Sequence, residues 1–382
     1  MTANSDQERN VGCREAGQAE LETLPLNGVR VLDLSRVLAG PVCSMMLGDL
    51  GADVIKVERP GTGDDTRGWG PPFDERGESA YFLSCNRNKR SLAADLTRGE
   101  DQRLITSLAR TADVVLDNFL PGTLSRYNID AASMLAEDPR LLWCSVGGYP
   151  DDPQRPGYDF AAQAEYGWMS ITGDPAGQPM KSAVALIDVL TGKDACIAIL
   201  AALIGRRERP APERHLRVTL GQTALAALVN VAQNALVTGH EARRWGNAHA
   251  NLVPYQLFET GDRPIVIAVG TDGQWRALVD VLDDAALRDD LALVTNAGRV
   301  TNRGRCVAGI QRVLRTRTAA QWKIRCEAAG VPVGEVRTVL EALADIDASP
   351  LTGVPSSVGG RIRRPPPLLG EHSHEIRERG WL

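Results

Sequence analysis

Segments of two kinds alternate through the first half of the chain, and this alternation constrains the fold more than any other feature. Short runs rich in apolar and β-branched residues occupy 29–34, 53–58, 113–116 and 141–146. Segments with helical periodicity, among them 41–50 and 98–111, separate these runs. Strands that alternate with helices are typical of a parallel sheet covered by helices. The sequence therefore predicts an α/β domain.

The second half of the chain follows a different pattern. Helices are predicted at 160–171, from about 191, and at 219–237, 272–283 and 304–328, and strands at 253–258, 263–269 and 331–336. These elements predict a smaller α+β unit after the first domain. The expected organisation is a flexible arm at 1–24, a large domain at 25–215, a linker helix and small domain at 216–330, and a segment at 331–382 that returns to the large domain.

Charge and hydropathy exclude two classes of protein. The 43 basic residues stand against 48 acidic ones, without a long block of one sign, whereas proteins that coat nucleic acid are more basic. The longest apolar run, 195–204, has about half the length of a membrane span. The acidic N-terminal residues lack the basic start and apolar centre of a secretory signal. We therefore expect no nucleic-acid partner, no membrane association and a cytoplasmic location.

Cysteine and histidine spacing gives no indication of a metal site. The seven cysteines are scattered and form no C-x-x-C pair, which excludes a disulfide framework and a cysteine zinc site. Among the five histidines only His372 and His374 are close in sequence, and no third ligand is evident. A surface pair explains them better than a metal centre. We expect neither a metal nor a permanently bound cofactor.

Two common α/β motifs are missing. Neither G-x-G-x-x-G nor a P-loop occurs between a strand and a helix. The nearest approach, Gly61-Thr62-Gly63, is followed by Trp69-Gly70-Pro71-Pro72 where a phosphate-binding helix would have to start. The serine motif G-x-S-x-G is also absent, which argues against an α/β-hydrolase.

One carboxylate stands out by its position. Asp188 ends the apolar stretch 183–187 and precedes a helix expected to begin near 189–191. Aspartate at such a position is ordinarily a helix N-cap, and the residue pattern alone favours that interpretation.

Several longer motifs resemble one enzyme family. They are Pro25-Leu26-Asn27-Gly28-Val29, Ala39-Gly40-Pro41, Leu50-Gly51-Ala52-Asp53-Val54-Ile55-Lys56-Val57-Glu58-Arg59-Pro60-Gly61, Asn86-Arg87-Asn88-Lys89-Arg90-Ser91, Ala112-Asp113-Val114-Val115-Leu116-Asp117-Asn118-Phe119, Gly157-Tyr158-Asp159 and Pro367-Leu368-Leu369-Gly370-Glu371-His372. Together they resemble the class III CoA-transferase (CaiB/BaiF) family over about 25–382. The family includes formyl-CoA transferase, carnitine CoA-transferases and α-methylacyl-CoA racemases.

The resemblance implies a fold and a reaction. The fold would be a Rossmann-like large domain with a smaller domain, in a homodimer of two interlocked rings. Asp188 matches the family's nucleophile, and Gln163 matches a glutamine of the active site. The reaction would move CoA from an acyl-CoA to a carboxylic acid through a mixed anhydride and an aspartyl-CoA thioester. Backbone N–H groups at the start of the helix would stabilise the oxyanions.

Further site residues follow from the same resemblance. Arg59, Asn118, Phe119 and Arg126 match CoA contacts of formyl-CoA transferase, and Trp69 and Tyr81 match the lining of its acyl pocket. From charge alone, Lys89 and Arg90 are a plausible phosphate patch. Without the family, a solvated surface charge would be the better interpretation of each arginine, and a core position would be as good an interpretation of Trp69 as a pocket position.

Departures from the family pattern concern the substrate. Leu38 stands where formyl-CoA transferase has an active-site glutamine, and Pro156 stands where it has a lysine. Formyl-CoA and oxalate are therefore poorly supported as substrates. His249 and Asn247 lie in a segment that resembles the small-domain entry of other members, where either an active-site or a loop role is compatible with the sequence.

Two alternatives to CoA transfer stay open. A racemase of this family needs two bases, and one of them comes from a histidine followed by aspartate. Here the pair is Tyr158-Asp159, and a phenol, whose ordinary pKa is near 10, is a weak base at neutral pH. The sequence therefore favours a transferase, in which Tyr158 and Asp159 assist Asp188. A non-catalytic CoA-binding protein is the second alternative, against which the presence of Asp188 argues.

Overall fold

The computed structural model describes residues 24–345, 356–358 and 360–382. The chain forms two compact units. The larger comprises Met1–Trp168, Ser182–Gly239 and Ala348–Leu382, and the smaller comprises Met169–Lys181 and His240–Asp347. The expected N-terminal arm, except Leu24, lies outside the described residues.

A six-stranded sheet organises the larger unit. Its strands are β1 (Arg30–Asp33), β2 (Asp53–Glu58), β3 (Lys89–Ala93), β4 (Val114–Asp117), β5 (Leu142–Gly147) and β6 (His215–Thr219). They pair in the order β3-β2-β1-β4-β5-β6, and every pair is parallel. This confirms the predicted α/β class. The strand order reverses between β1 and β4, and ligands of such sheets bind at this point, beyond the carboxyl ends of the strands.

The helices of the larger unit include those that cover both faces of this sheet. They are α1 (Ala39–Asp49), α2 (Ala80–Cys85), α3 (Gly99–Arg110), α4 (Ala131–Glu137), α5 (Asp159–Glu165), α6 (Trp168–Ile171), α7 (Leu186–Gly205), α8 (Leu220–Ala226), α9 (Val229–Thr238) and α16 (Ser373–Arg379), and α6 continues into the smaller unit. Successive residues of a strand point to opposite faces. Val31 accordingly packs in the core on one face of the sheet and Leu32 in the core on the other.

Helix α7 packs closely on α1 at a glycine. A Cβ atom on Gly192 would lie 2.5 Å from the carbonyl oxygen of Ala39 and 3.0 Å from the Cβ of Val42. Only a residue without a side chain permits this approach. The contact brings the first turns of α7 to the first turn of α1, which directly follows the loop after β1.

The C-terminal segment covers the edge strand β3. The backbone N–H of His372 donates to the Ser91 carbonyl at 3.1 Å, and the N–H of Asn88 donates to the Arg364 carbonyl at 3.1 Å. The Ser373 hydroxyl accepts from the Ala93 N–H at 2.9 Å. The edge of the sheet is thus closed by residues from the end of the chain.

A three-stranded antiparallel sheet lies in the smaller unit. Strands β7 (Tyr255–Phe258), β8 (Ile265–Ala268) and β9 (Val333–Glu335) pair in that order. The helices are α10 (Asp272–Leu282), α11 (Ala285–Arg288), α12 (Asn296–Thr301), α13 (Arg303–Leu314), α14 (Ala319–Ala328) and α15 (Val339–Leu343). Their shared core contains the buried tryptophans Trp275 and Trp322. The smaller unit thus combines an antiparallel sheet with helices.

Several predicted boundaries were wrong. The helix expected at 304–328 is two helices, because Thr318 begins α14 with a capping box that includes Gln321. The helix expected at 219–237 is two helices, α8 and α9, which belong to the larger unit and not to the small domain. The return to the large domain does not begin at 331, since β9 pairs with β8.

In the part of the chain that the structure describes, no single helix has the length and apolar character of a membrane span. The bent pair of helices α8 and α9 reaches that length and apolar character only when the two are taken together.

Candidate active site

Asp188 lies in the first turn of α7. The helix begins at Leu186, earlier than predicted, so Asp188 is its third residue and not its N-cap. Ala185 occupies the N-cap position and supplies no side-chain cap. The N-cap role that the sequence favoured for Asp188 is therefore wrong. The half-buried Asp188 carboxylate does not cap this helix.

Asp159 caps α7 from a neighbouring helix. Its Oδ1 atom accepts from the backbone N–H of Ile187 at 2.8 Å and from that of Asp188 at 3.2 Å. Asp159 is buried, at the first position of α5. A carboxylate at this place satisfies two N–H groups that a helix start leaves without partners. The N–H groups predicted to stabilise oxyanions are thus already occupied, which corrects that expectation.

Gln163 holds Asp159 from behind. One turn along α5, its Nε2 donates to Oδ2 of Asp159 at 2.7 Å, and its Oε1 accepts from the Ser182 N–H at 2.8 Å. Gln163 is 1% exposed. Its predicted place in the substrate pocket is therefore corrected to that of a buried support for Asp159 and for the segment that leads into α7.

The environment of Asp188 favours its protonated form. Burial, together with the negative charge of Asp159, raises the pKa of Asp188 to about 7. A carboxyl group with such a pKa is present in both protonation states at neutral pH. Perturbation of this kind by burial and a like charge is a frequent property of catalytic carboxylates.

An apolar group of side chains adjoins the start of α7. Leu38, Val42, Met45 and Cys85 are buried together, and Tyr81 and Val189 pack against them. The Tyr81 ring meets the Trp69 ring edge-on, with centroids 5.1 Å apart. Burial and the charge of Asp188 raise the pKa of Tyr81 to about 12. The structure thus brings the predicted pocket residues Leu38, Trp69 and Tyr81 to the neighbourhood of Asp188.

A cavity of about 190 Å³ lies beyond the carboxyl ends of β1, β2 and β4. Arg36, Arg59 and Phe119 contribute to its wall. The Arg36 guanidinium lies over the Phe119 ring, 5.2 Å from its centroid, and the Arg59 side chain is 56% exposed while pairing with Asp65. Guanidinium groups can bind phosphates, and an adjacent aromatic face can stack on a nucleotide base. The position is the one expected for a ligand of this sheet.

Asn118 and Arg126 occupy different settings near this cavity. The Asn118 amide accepts from the Arg36 N–H at 3.0 Å and donates to the Arg36 carbonyl at 2.7 Å. It therefore fixes the Arg36 backbone, a role that the prediction of a direct CoA contact missed. Arg126 is exposed in the turn Leu124–Tyr127, between the cavity residues Thr123 and Tyr127.

The predicted phosphate patch of Lys89 and Arg90 is wrong. Both residues lie in β3 and are at most 1% exposed. The Lys89 ammonium donates to Asp33 at 3.2 Å and to the Pro41 carbonyl at 2.9 Å, and the Arg90 guanidinium pairs with Asp53 at 2.6 Å. Their charges are neutralised inside the protein and do not face a phosphate site.

Two further predicted residues keep open roles. Tyr158 precedes α5 and is 62% exposed. His249 lies in the smaller unit, where its Nδ1 accepts from the Asn251 N–H at 3.0 Å and its ring packs on Tyr255, with centroids 5.2 Å apart. These contacts give His249 a loop-forming role, and a part in the active site stays a prediction.

Sequence reasoning missed a group of buried charges beneath the loop after β1. Asp33, Lys56 and Asp64 are at most 1% exposed, and Lys56 pairs with Asp64 at 2.9 Å. The available signal was a charged residue inside a β-branched strand, at Asp33 in β1 and at Lys56 in β2. Among the described residues, no three His, Cys, Asp or Glu side chains are grouped so that they could hold a metal ion.

Comparison with known proteins places these features in context. Residues 26–373 match the sequence profile of CoA-transferase family III. The chain is 39% identical to a succinate–glutarate CoA-transferase of Agrobacterium fabrum, over 92% of this chain and 94% of that protein. It is also 39% identical to a mouse succinyl-CoA:glutarate CoA-transferase, over 92% and 85%. A CaiB/BaiF family protein from Brucella suis has a similar structure, with a TM-score of 0.82 and 37% identity over 93% of this chain and 99% of that chain.

Proposed function

The chain belongs to CoA-transferase family III, and from this membership and the geometry around Asp188 we propose that it transfers CoA from an acyl-CoA to a carboxylic acid through that residue. One observation carries the proposal. Asp188 lies at a helix start that Asp159 holds, next to an apolar group of side chains, and its pKa is raised to about 7.

The proposed first half-reaction has two steps. A carboxylate oxygen of Asp188 attacks the thioester carbonyl, the C–O bond forms, the C–S bond breaks, and its electron pair leaves on the CoA thiolate. The product is a mixed anhydride. The thiolate then attacks the Asp188 carbonyl carbon, which forms aspartyl-CoA and releases the donor acid as a carboxylate.

The second half-reaction reverses these steps with the acceptor acid. The acceptor carboxylate attacks the aspartyl thioester and expels the CoA thiolate, leaving a second mixed anhydride. The thiolate attacks the acceptor carbonyl of that anhydride, which forms the new acyl-CoA and regenerates the Asp188 carboxylate. No net proton, oxidant or ATP is consumed. The apolar side chains of Leu38, Val42 and Met45 favour this sequence because water would hydrolyse either intermediate.

CoA is proposed to bind with its nucleotide end in the cavity at the carboxyl ends of β1, β2 and β4. Arg36 and Arg59 supply positive charge there, and Phe119 supplies an aromatic face. The loop of residues 34–38 runs from this cavity to the apolar group beside Asp188. Pantetheine following this loop would carry the thioester to the nucleophile.

Dicarboxylic acids are the proposed substrate class. The relatives from Agrobacterium fabrum and mouse are transferases of succinate or succinyl-CoA and glutarate. At 39% identity over most of the chain, this favours a short dicarboxylyl-CoA as donor and a short dicarboxylate as acceptor.

Trapping the covalent intermediate tests the mechanism. The protein is incubated with succinyl-CoA and hydroxylamine, and peptides containing residue 188 are analysed by mass spectrometry. Hydroxylamine attacks the aspartyl thioester, releases CoA and leaves a hydroxamate on Asp188. The same protein with glutarate in place of hydroxylamine should produce glutaryl-CoA. Absence of both products, with intact succinyl-CoA, would contradict the proposal and leave the non-catalytic CoA-binding alternative.

Racemisation is distinguished by isotope exchange. A racemase would introduce solvent deuterium at the α-carbon of a 2-methylacyl-CoA in deuterium oxide, since it removes and returns that proton. Because Tyr158 offers a phenol where a base is needed, we expect no exchange. Deuterium uptake that is lost in Asp188→Ala would instead establish the racemase.

A homodimer is proposed as the assembled form. The family resemblance implies it, and exposed apolar side chains on α7 and α9 are compatible with it. Ile204 is 90% exposed, Leu236 79% and Val237 74%. Apolar side chains exposed together mark interaction surfaces more often than isolated ones do.

A further inference from the structure

The loop between β1 and α1 holds a strained backbone next to the cavity. Val37 has a φ of 73°, a left-handed conformation that is unfavourable for a β-branched residue. Such conformations persist only where surrounding contacts enforce them, and they are frequent at functional sites. The neighbouring Arg36 lines the cavity, and Leu38 packs beside Tyr81 in the apolar group near Asp188.

Asp64 enforces this conformation. Its two carboxylate oxygens lie 3.2 and 3.3 Å from the Val37 N–H, which donates to them. Lys56 pairs with Asp64 at 2.9 Å and also donates to the Ser35 carbonyl at 2.9 Å. The strained residue is therefore held by one buried ion pair that contacts the loop on both sides of Arg36.

The same carboxylate fixes a second loop. Oδ1 of Asp64 accepts from the Thr66 N–H at 3.0 Å and from its hydroxyl at 2.8 Å. These bonds begin the turn Asp65–Gly68, which ends at Trp69. The Trp69 ring in turn meets Tyr81. Asp64 thus joins the loop that carries Arg36 and Leu38 to the segment that carries Trp69.

We propose that Asp64 is a positioning residue for CoA transfer. It fixes the β1–α1 loop relative to the segment that carries Trp69, so that one acyl-CoA can extend from the nucleotide cavity to the apolar group beside Asp188. The proposal rests on the proposed function. Lys56 pairs with Asp64, and both residues line the cavity proposed for the nucleotide end of CoA and do not belong to the apolar group beside Asp188.

A matched control separates positioning from general stability. Asp49 is also buried and paired, with Arg87 at 2.7 Å, and it accepts from the Asn88 amide at 2.7 Å. Its other contacts go to the return segment at 360–361 and not to the β1–α1 loop. Loss of either carboxylate leaves a buried cation unpaired, so both variants lower stability. Only the Asp64 variant should change the site.

The experiment compares Asp64→Ala, Asp64→Asn and Asp49→Ala at a temperature where all are folded. Asp64→Ala should raise the KM for succinyl-CoA and lower kcat, with a loss in kcat/KM of about tenfold or more, because small misplacements of reacting groups are costly. Asp64→Asn, whose amide oxygen can accept from Val37, should recover part of that loss. Asp49→Ala should keep wild-type KM and kcat. Equal kinetic losses in the Asp64 and Asp49 variants, or none, would overturn the proposal.

Val37→Gly provides a second test. Glycine adopts a positive φ without strain, so the loop in this variant depends less on Asp64. The loss caused by Asp64→Ala should be smaller in the Val37→Gly background than in the wild type. An equal loss in both backgrounds would contradict the positioning role. If Asp64→Ala does not fold, the neutral pair Lys56→Met with Asp64→Asn replaces it.

Hydrogen exchange distinguishes this proposal from the proposed function. Peptides covering 34–42 should lose amide protection in Asp64→Ala and keep it in Asp49→Ala, whether or not the wild type transfers CoA. Unprotected loop amides with intact transfer would remove the link to catalysis. A wild type without transfer would contradict the proposed function alone, while unchanged protection of 34–42 in Asp64→Ala would contradict the positioning role alone.

Discussion

At the candidate active site, the properties of Asp188 depend on neighbouring side chains that need not contact the substrate. Asp188 owes its raised pKa to burial and to Asp159, and Asp159 is held by Gln163. A nucleophilic carboxylate must be ionised, so the negative charge of Asp159 lowers the fraction of Asp188 that can react at low pH. It also supplies the bonds that fix the start of α7.

Replacing the proposed nucleophile should abolish transfer. We expect Asp188→Ala to lose all measurable succinyl-CoA-dependent transfer and to keep its melting temperature close to that of the wild type, because Asp188 caps no helix. Asp188→Asn should still bind CoA, as isothermal titration can measure. Turnover by a folded Asp188→Ala protein would contradict the mechanism.

The pH profile should follow the ionisation of Asp188. Its pKa is about 7, and the ionised form reacts, so kcat/KM should rise with pH through about 7 and then level off. In Asp159→Asn a negative charge is removed, which favours the ionised form of Asp188 and should move this rise to lower pH. The control is Glu165→Gln, at the other end of α5 and paired with Arg155, which should leave the profile unchanged. A profile that does not move in Asp159→Asn would contradict the electrostatic coupling.

The cationic cavity should control CoA binding more than turnover. We expect Arg59→Ala to raise the KM for acyl-CoA about tenfold or more, since a hydrogen bond to a charged group contributes about 1.5–3 kcal/mol, while kcat changes less. Arg126→Ala should act in the same direction. Arg140, paired with Asp138 on the surface, supplies the control variant Arg140→Ala. Unchanged KM in both test variants would place CoA elsewhere.

Sequence predicted the site residues that belong to a family motif, and it missed those whose role depends on tertiary contacts. Asp188, Trp69 and Tyr81 were found through motifs of a family, and the structure places them together. Lys89 and Arg90 were misassigned because charge was taken as a sign of exposure, whereas both are buried with carboxylate partners. Asp64 was missed because its importance lies in contacts with Val37 and Lys56, which only tertiary structure creates.

At the level of secondary structure, the junction of α1 and α7 sets the geometry of the site. Local pattern predicted the strands of the parallel sheet to within one or two residues, except β3 and β6. The start of α7 was placed too late because Asp188 looks like an N-cap. The actual cap comes from Asp159, which is distant in sequence, so no local signal marks the boundary.

A methyl group at the α1–α7 contact should disturb catalysis. Gly192→Ala would place a Cβ 2.5 Å from the Ala39 carbonyl oxygen, which forces the helices apart and costs about 1–3 kcal/mol. The melting temperature and kcat should both fall. Gly205→Ala, at the end of the same helix where no atom lies within 4 Å, is the control and should change neither by much. Full activity in Gly192→Ala would show that the contact does not position Asp188.

At the scale of the whole molecule, the division of the chain into two units was only partly predictable. Helices α8 and α9 are apolar and rich in small residues, so their composition is compatible with either unit. Their place in the larger unit, where Leu220 and Ala224 of α8 join the core beside the sheet, is decided by contacts that arise only in the fold.

Charges on α9 should weaken the proposed dimer. We expect the wild type to have twice the monomer mass by size-exclusion chromatography with light scattering. The double variant Leu236→Asp with Val237→Asp should shift this mass towards the monomer, since each buried apolar side chain contributes about 1.5–3 kcal/mol. Leu291→Asp, at a leucine 87% exposed in the smaller unit, is the control and should keep the dimer. A monomeric wild type would contradict the assembly.

The closure of β3 by the C-terminal segment has a consequence for biosynthesis. Because Ser91 and Ala93 pair with His372 and Ser373, the edge strand of the first sheet stays uncovered while the ribosome is still translating the smaller unit. During that interval the edge of β3 offers free backbone groups to any other extended chain. Nascent chains are therefore most exposed to aggregation late in synthesis. A stop codon before residue 372 would release a product in which this part of the β3 edge stays permanently uncovered.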